Sequence, residues 1–240
     1  MGISIDVKNI SKRFGKKDVL QDIDLEVADG EIYGLIGPSG SGKTTLVKMI
    51  VGMDRPSAGS VRLLDKKVPD LTVLENIGYM AQADALYTDL TGRENLQFFS
   101  SLFSLNKAQQ KERITYVSDL VNLTTDLQKK VSTYSGGMKR RLSLAIALIQ
   151  DPQVIILDEP TVGIDPELRQ TIWKELMRLK HSGKTILLTT HIMDEAEKCD
   201  RLSMIRDGKI ITSGSPKSLK SQYDTTNLED VFLFAGRESQ

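Results

Sequence analysis

The stretch EIYGLIGPSGSGKTTLVKMI, residues 31–50, joins a short apolar segment to a glycine-rich loop and then to a segment with helical spacing. The apolar start predicts a buried strand, and residues 37–44 match the pattern G-x-x-x-x-G-K-S/T between that strand and a helix. Glycines let backbone N–H groups surround a phosphate, and the N-terminus of the following helix adds partial positive charge. The stretch therefore predicts a phosphate-binding loop in an α/β fold.

Two side chains of this loop carry specific expectations. Lys43 can reach the β- and γ-phosphates of a nucleotide, and the Thr44 hydroxyl can ligate Mg²⁺. A dinucleotide fingerprint is excluded, because G-x-G-x-x-G would need a glycine where Thr45 stands. We expect the phosphates to contact the whole loop, which consists of Gly37, Pro38, Ser39, Gly40, Ser41, Gly42, Lys43, Thr44 and Thr45.

The rest of the chain alternates between strand and helix patterns. Residues 1–30 alternate apolar and polar positions, which predicts an antiparallel β part with one solvated face. Residues from about 90 to about 150 have helical spacing, and strand patterns return in QVIILDEP and KTILLTTH, with a further hairpin at Asp207-Gly208. This order predicts a P-loop NTPase core with a mainly parallel sheet and an inserted α-helical subdomain. We predict one domain over residues 1–240, ending in a helical extension from about 214 to 240.

Composition narrows the class of protein. The 240 residues include 32 Lys and Arg and 32 Asp and Glu, so the formal net charge is zero, and no nucleic-acid partner is expected from bulk electrostatics. The single cysteine, Cys199, excludes an internal disulfide framework. No apolar run approaches the roughly 20 residues that span a bilayer, and the start MGISIDVKNI lacks a signal peptide pattern. We expect a cytoplasmic protein.

The segment VIILDEP predicts the acidic part of a nucleotide site. Asp158 follows four apolar residues, at the carboxyl end of a predicted strand, where open α/β sheets bind ligands. We expect Asp158 to belong to the Mg²⁺ site and Glu159 to polarise the water that attacks the γ-phosphate. The alternative is an acidic pair in an ordinary solvated turn.

Histidine, glutamine and phenylalanine residues complete the candidates. His191 follows the predicted strand TILLTT and is expected at the same ligand edge as Asp158, whereas His181 ends a helix and complements its dipole. Gln82 ends the strand IGYMAQ and could contact Mg²⁺ or the attacking water. Phe14 could stack on a purine, but a core aromatic residue is the simpler interpretation of that position.

A second anion-binding helix start occurs in TYSGGMKRRLSLAIAL, residues 133–148. Ser135, Gly136 and Gly137 place a hydroxyl and two unencumbered N–H groups at the start of a helix. The alternative is that Ser135 only caps this helix. Because one ATP has one γ-phosphate, we expect this element to close over the ATP of a second copy of the chain in a head-to-tail dimer.

Taken together, these features resemble the ATP-binding subunits of ABC transporters. The resemblance covers nearly the whole chain, and in order it includes Phe14, residues 37–45, Gln82, YSGGM, ILDEP, VGID ending at Asp165, and His191.

The resemblance implies specific roles for these residues. It implies the ABC ATPase fold, ATP and Mg²⁺ as ligands, Phe14 on adenine and His191 on the γ-phosphate. It also implies that Gln82 links the Mg²⁺ site to the membrane partner and that Asp165 crosses the dimer interface. The signature YSGGM departs from the commoner LSGGQ at Tyr134 and Met138, so a polar contact from glutamine is lost.

A finer similarity to exporters of drugs, lipids or polysaccharides lies in PTVGIDPELRQTIW, THIMDEAEKCDRL and NLEDVF. It implies two separate polytopic permease subunits as partners and leaves the cargo open. Two other classes remain as alternatives. Soluble ABC ATPases that act on ribosomes or DNA usually contain two cassettes or long insertions, and a small-molecule kinase would leave YSGGM and His191 unexplained.

Overall fold

The computed structural model describes residues 2–238, which form a mixed α/β structure. The strands are β1 (Ile3–Phe14), β2 (Lys17–Ala28), β3 (Ile32–Ile36), β4 (Ala58–Leu63), β5 (Lys66–Lys67), β6 (Ile77–Met80), β7 (Val154–Asp158), β8 (Thr185–Thr190), β9 (Arg201–Arg206) and β10 (Lys209–Gly214). The helices are α1 (Lys43–Ile50), α2 (Gly92–Ser101), α3 (Lys107–Leu120), α4 (Gly136–Ala147), α5 (Pro166–His181), α6 (Met193–Ala196), α7 (Pro216–Gln222) and α8 (Leu228–Glu238).

The chain divides into two compact units. The first consists of residues 2–73 and 185–238, and the second of Leu74–Lys184. Helices α2, α3 and α4 fall within the helical segment predicted for about 90–150, but the second unit is wider because it also includes β6, β7 and α5. The single domain over residues 1–240 stays a prediction.

An antiparallel sheet of order β2-β1-β4-β5 lies in the first unit. Alternate side chains of its first strands are buried, among them Ile5 and Val7 of β1 and Leu25 and Val27 of β2. This is the period-two burial that residues 1–30 predict, because successive side chains of a strand point to opposite faces.

Parallel strands of the first unit position the predicted phosphate loop. β3 lies between β8 and β9 and runs parallel to both. The last residue of β3, Ile36, pairs with the last residue of β8, Thr190, so the carboxyl ends of these strands lie at one edge. β9 and β10 form the predicted hairpin, in which Asp207 and Gly208 have φ of 49° and 78°, as a type I′ turn requires.

The C-terminal helices α7 and α8 cover apolar side chains of this parallel region. Leu219 of α7 and Leu228 and Val231 of α8 form one buried cluster with Leu202 and Met204 of β9. The predicted extension of about 214–240 is therefore helical and packed over its described part, and residues 239 and 240 lie outside the described residues.

The second unit contains a parallel pair, β6 and β7, with Met80 opposite Leu157. Three helices connect these strands in the sequence, and α5 follows β7. The helices begin at side-chain caps of the types that the sequence offers, and each cap accepts a bond from a backbone N–H three residues later. The capping residues are Thr91, Asn106, Ser135 and Asp165. Parallel strands joined through helices confirm the predicted α/β class.

Within residues 2–238, no helix is both long enough and apolar enough to cross a membrane.

Candidate functional site

The phosphate loop lies between β3 and α1 in the first unit, as predicted. Gly42 precedes α1 with φ of 109°, and a Cβ at this position would lie 2.6 Å from Cδ2 of Leu20. Gly40 also has a positive φ, 82°, and no atom lies within 4 Å of the position that its Cβ would take. Glycine is therefore needed at both positions for backbone conformation, and at Gly42 also for packing.

Polar atoms inside the loop fit a phosphate ligand. The Lys43 ammonium donates to the carbonyl oxygens of Gly37 at 2.7 Å and Pro38 at 3.0 Å. The Ser41 hydroxyl is buried and has no hydrogen-bond partner among residues 2–238. A buried hydroxyl without a partner is costly, and an anion in the loop would supply the missing acceptor.

His191 directly follows β8, so it lies at the same strand edge as the start of the phosphate loop. Its side chain is exposed. In the preceding residue, the buried Thr190 hydroxyl donates to the Glu195 carboxylate at 2.7 Å and accepts the Ile192 N–H at 3.0 Å. The strand order thus places His191 at the same sheet edge as the phosphate loop, and its contact with a phosphate stays a prediction. His181, in the last turn of α5, keeps its helix-end position, with Nδ1 2.6 Å from the Met177 carbonyl.

Phe14 ends β1 with 52% of its surface exposed. The Lys12 ammonium lies 4.7 Å from the centre of its ring. The interpretation of Phe14 as a core aromatic residue is therefore wrong, and its ring is partly open to solvent beside the Lys12 ammonium.

Gln82 and the acidic pair lie at the ends of neighbouring strands in the second unit. Asp158 ends β7, and Gln82 lies two residues beyond the end of β6, which runs parallel to β7. Asp158 is fully buried, so its interpretation as part of a solvated turn is wrong. Glu159 has φ of 54°, a left-handed conformation that is uncommon for a residue with a side chain and is often found at functional sites.

A further residue, Arg140 of α4, joins these strand ends, and sequence reasoning did not single it out. One guanidinium nitrogen donates to the carbonyl oxygens of Ala81 at 2.8 Å and Gln82 at 2.9 Å. The other terminal nitrogen donates to the carbonyls of Asp158 and Glu159, the latter at 2.6 Å. Arg140 is itself buried. In the sequence, only its position five residues after Ser135 could have drawn attention to it.

The start of α4 shows both properties expected of it. The Ser135 hydroxyl caps the helix by accepting the Met138 N–H at 3.2 Å, so the capping role is real. Ser135 and Gly136 are also exposed, and no atom lies within 4 Å of the Cβ position of Gly136. The N–H groups at this helix end therefore remain accessible to an anion.

The VGID segment lies against the start of α4. A Cβ on Gly137 would come within 3.0 Å of the Gly163 carbonyl. Two residues after Gly163, the exposed Asp165 caps α5 by accepting the Leu168 N–H at 2.9 Å. The second unit thus brings Ser135 and Asp165 to neighbouring helix starts.

Tyr134 explains one departure of the signature from the commoner sequence. Its ring is buried, and its hydroxyl donates to the Asp126 carbonyl at 2.8 Å. Tyrosine at this position therefore attaches the segment before α4 to the Asp126 backbone, while Ser135 and Gly136 stay exposed.

Comparison with known proteins agrees with this arrangement. A family model described as ABC transporter matches residues 20–162. The Nod factor export ATP-binding protein I of Burkholderia orbicola (strain AU 1054) is 44% identical over 218 residues, which cover 90% of this chain and 72% of that protein. A solved structure of an ATP-binding subunit of an ABC transporter has a TM-score of 0.90 at 26% identity, and the match covers 97% of this chain and 99% of that one.

A second solved structure shows a related cassette after catalysis. It is a dimeric ATP-binding cassette in a post-hydrolysis state, bound to ADP and Pi, with a TM-score of 0.81 at 26% identity; the match covers 88% of this chain and 98% of that one. These similarities confirm the ABC ATPase fold and ATP hydrolysis. The chain therefore belongs to the ABC transporter family, as an ATP-binding subunit.

Proposed function

We propose that this ATPase works as a head-to-tail dimer whose cycle of closure and opening drives export through separate membrane subunits. Two similarities support the proposal: the relative from Burkholderia orbicola is named an export ATP-binding protein, and the post-hydrolysis cassette is dimeric. An ATPase that acts on ribosomes or DNA is not favoured, because the relative from Burkholderia orbicola is named an export ATP-binding protein and the solved structure with a TM-score of 0.90 is a subunit of an ABC transporter.

The exposed start of α4 is the observation that carries the dimer proposal. Ser135 and Gly136 present a hydroxyl and backbone N–H groups to open space, although the chain already has a phosphate loop of its own. An anion-binding helix start that is exposed in the single chain suits a ligand brought by a second copy. A two-fold dimer pairs each loop with the partner's Ser135 and leaves neither surface open.

We assign the ligand contacts residue by residue. The phosphates bind residues 37–45, the adenine stacks on Phe14, and His191 contacts the γ-phosphate. Asp165 faces the second copy. Thr44, Gln82 and Asp158 would hold Mg²⁺, and their hydroxyl, amide and carboxylate oxygens are ligands that this hard cation accepts. When bound, Mg²⁺ would neutralise charge on the β- and γ-phosphates.

In the reaction, Glu159 acts as the general base. Its carboxylate accepts a proton from water while the water oxygen forms a bond to the γ-phosphorus. The bond between that phosphorus and the β,γ-bridging oxygen breaks, and the electron pair leaves with ADP. Lys43, His191 and the loop N–H groups hold the phosphate oxygens, so they stabilise the charge that moves during the transfer.

The membrane partner is proposed to bind near residues 83–99. This segment follows Gln82 and carries exposed aromatic side chains, of which Tyr87 is the most exposed. We propose that polytopic permease subunits contact this surface, so that the chain lies at the cytoplasmic face of the membrane.

Mixing two inactive variants tests the shared site. A Lys43→Ala chain lacks its own loop function, and a Ser135→Arg chain blocks the site of its partner. Random pairing of equal amounts gives one intact site in half of the dimers, so we expect about a quarter of wild-type ATPase activity.

The control replaces the second chain with a variant that carries both substitutions. Paired with Lys43→Ala, this variant forms no intact site, and the mixture should stay inactive. Full ATPase activity from a preparation that remains monomeric, or no recovery although cross-linking detects the mixed dimer, would contradict the proposal.

A further inference from the structure

The buried side chain of Arg140 connects three parts of the second unit. It lies in the second turn of α4, the helix that begins beside Ser135, and its donors reach the ends of two neighbouring strands. One terminal nitrogen holds the carbonyls of Ala81 and Gln82 after β6, and the other holds those of Asp158 and Glu159 at the end of β7.

These contacts suit only a guanidinium group. Arginine presents its donors in a rigid planar fork, so one side chain can bond two separate carbonyl pairs at once, whereas a lysine ammonium is a single point. Burial lowers the pKa of Arg140, and the carboxylate of Asp84 is the first of the nearby acidic groups that oppose this shift. Hydrogen bonds made by a charged donor in a buried site are among the stronger ones in proteins.

A second contact from the same face of α4 strengthens the connection. Ser143, three residues after Arg140, donates its hydroxyl to the Asp84 carboxylate at 2.8 Å. The Arg140 guanidinium lies 3.9 Å from the same carboxylate. Arg140 and Ser143 therefore both attach the segment 81–84 to α4. The bond from Arg140 to the Glu159 carbonyl holds a residue whose backbone is left-handed.

We propose that Arg140 is a positioning residue that sets the backbone at Gln82 and Glu159 and ties both to the helix that begins at Ser135. The inference rests on the proposed function, which gives these residues their roles. In the dimer, Ser135 faces the partner's ATP, so Arg140 links the element that binds the partner's nucleotide to the chain's own water-activating carboxylate. In this proposal Arg140 acts through the backbone carbonyls that it bonds.

The test compares Arg140→Gln with Arg141→Gln. Arg141 is the adjacent arginine of α4 and also donates to two carbonyls, those of Val121 and Asn122, at 3.2 and 2.9 Å. We expect Arg140→Gln to lower kcat about tenfold or more and to change the KM for ATP less than about threefold, because misplaced catalytic groups affect turnover more than binding. Arg141→Gln should keep kcat within about twofold of wild type.

Hydrogen–deuterium exchange of the chain without nucleotide supplies a readout that does not need activity. In Arg140→Gln the backbone amides of residues 81–84, 158, 159 and 161 should exchange faster, whereas Arg141→Gln should affect those near residue 122. Arg140→Lys keeps the buried charge but reaches fewer carbonyls, so it should fold and show an intermediate kcat.

The possible results separate this inference from the proposed function. Wild-type kcat and unchanged exchange at residues 81–84 and 158–161 in a folded Arg140→Gln or Arg140→Lys variant would overturn the role of Arg140. An equal loss of kcat and equally faster exchange at these two segments in Arg141→Gln would overturn it too, because both substitutions would then disturb the packing of α4 in general. If the mixed-variant experiment fails while exchange changes at these two segments alone, the backbone role of Arg140 stands and the dimer proposal falls.

Discussion

Glu159 combines features that suit a catalytic carboxylate. It directly follows the fully buried Asp158, it has a left-handed backbone with φ of 54°, and its carbonyl is held by Arg140. A conformation of this kind costs free energy and persists only where neighbouring contacts impose it. Here the bond from Arg140 to the Glu159 carbonyl contributes to that constraint and so helps to position the backbone from which the Glu159 side chain extends.

Replacing Glu159 by Gln should stop turnover and leave binding intact. Glutamine keeps the shape of the side chain but cannot accept the proton, so we expect hydrolysis to fall by roughly 10²–10⁴-fold. ATP affinity, measured by equilibrium dialysis, should stay near the wild-type value, and dimers should accumulate with ATP. Glu167→Gln, in the exposed first turn of α5, is the control. Near-normal hydrolysis by Glu159→Gln would assign the base to another group.

At this scale, the sequence could predict residues whose chemistry depends on neighbours in the chain. Gly42, Lys43 and Thr44 belong to one contiguous pattern, and Asp158 follows an obvious buried strand. Arg140 could not be predicted in this way, because its partners are backbone carbonyls 58 and 18 residues away in the chain. Every residue carries such a carbonyl, so no side-chain pattern marks which ones an arginine will bond.

At the scale of elements, strands and helix starts follow from local pattern, whereas supporting contacts depend on tertiary packing. The alternation in β1 and the caps at Ser135 and Asp165 could be predicted because each depends on residues close in sequence. The effect of Tyr134 could not, since a tyrosine in place of leucine gives no sign of where its hydroxyl will find an acceptor.

The contribution of Tyr134 can be measured by removing its hydroxyl. Tyr134→Phe takes away the bond to the Asp126 carbonyl, so the free energy of unfolding should fall by about 0.5–1.5 kcal/mol. The matched control is Tyr79→Phe. The Tyr79 hydroxyl is buried, has no hydrogen-bond partner among residues 2–238, and has a pKa raised to about 12 by that burial. Its removal should be neutral or slightly stabilising.

Urea denaturation of both variants measures the change in the free energy of unfolding that each substitution causes. Equal losses in the two proteins would show that the Tyr134 hydroxyl makes no net contribution. A loss confined to Tyr134→Phe would show that this hydroxyl supports the segment that leads into α4.

At the scale of the whole molecule, the fold tolerates extensive sequence change. The solved ATP-binding subunit shares 26% identity with this chain and still has a TM-score of 0.90. In each compact unit, the candidate site residues lie at strand ends or helix starts, where the backbone holds them.

Tyr87, Phe98 and Phe99 form a partly exposed cluster of rings, named here the aromatic patch. Tyr87 is 49% exposed, and its ring centre lies 4.8 Å from that of Phe98 and 6.1 Å from that of Phe99. The buried Asn95 holds Tyr87 in place by exchanging two hydrogen bonds of 3.0 Å with its backbone. Leu86 and Leu90, which lie in the same segment of residues 83–99, are half-buried. The exposed part of the predicted partner site is therefore aromatic.

Charges placed on the aromatic patch should uncouple the chain from its membrane partner. Aromatic side chains that become buried on binding often contribute most of the binding free energy at an interface. Tyr87→Glu with Phe98→Glu should therefore weaken permease binding about 30-fold or more. Because both side chains are partly exposed, the melting transition and basal ATPase activity should stay near wild-type values. Met53→Glu adds a charge at a position that is 66% exposed in the first unit and should leave co-purification with the permease unchanged. If the double variant binds as tightly as wild type, the permease uses another surface. If its melting transition falls together with its ATPase activity, the rings belong to the core of the second unit.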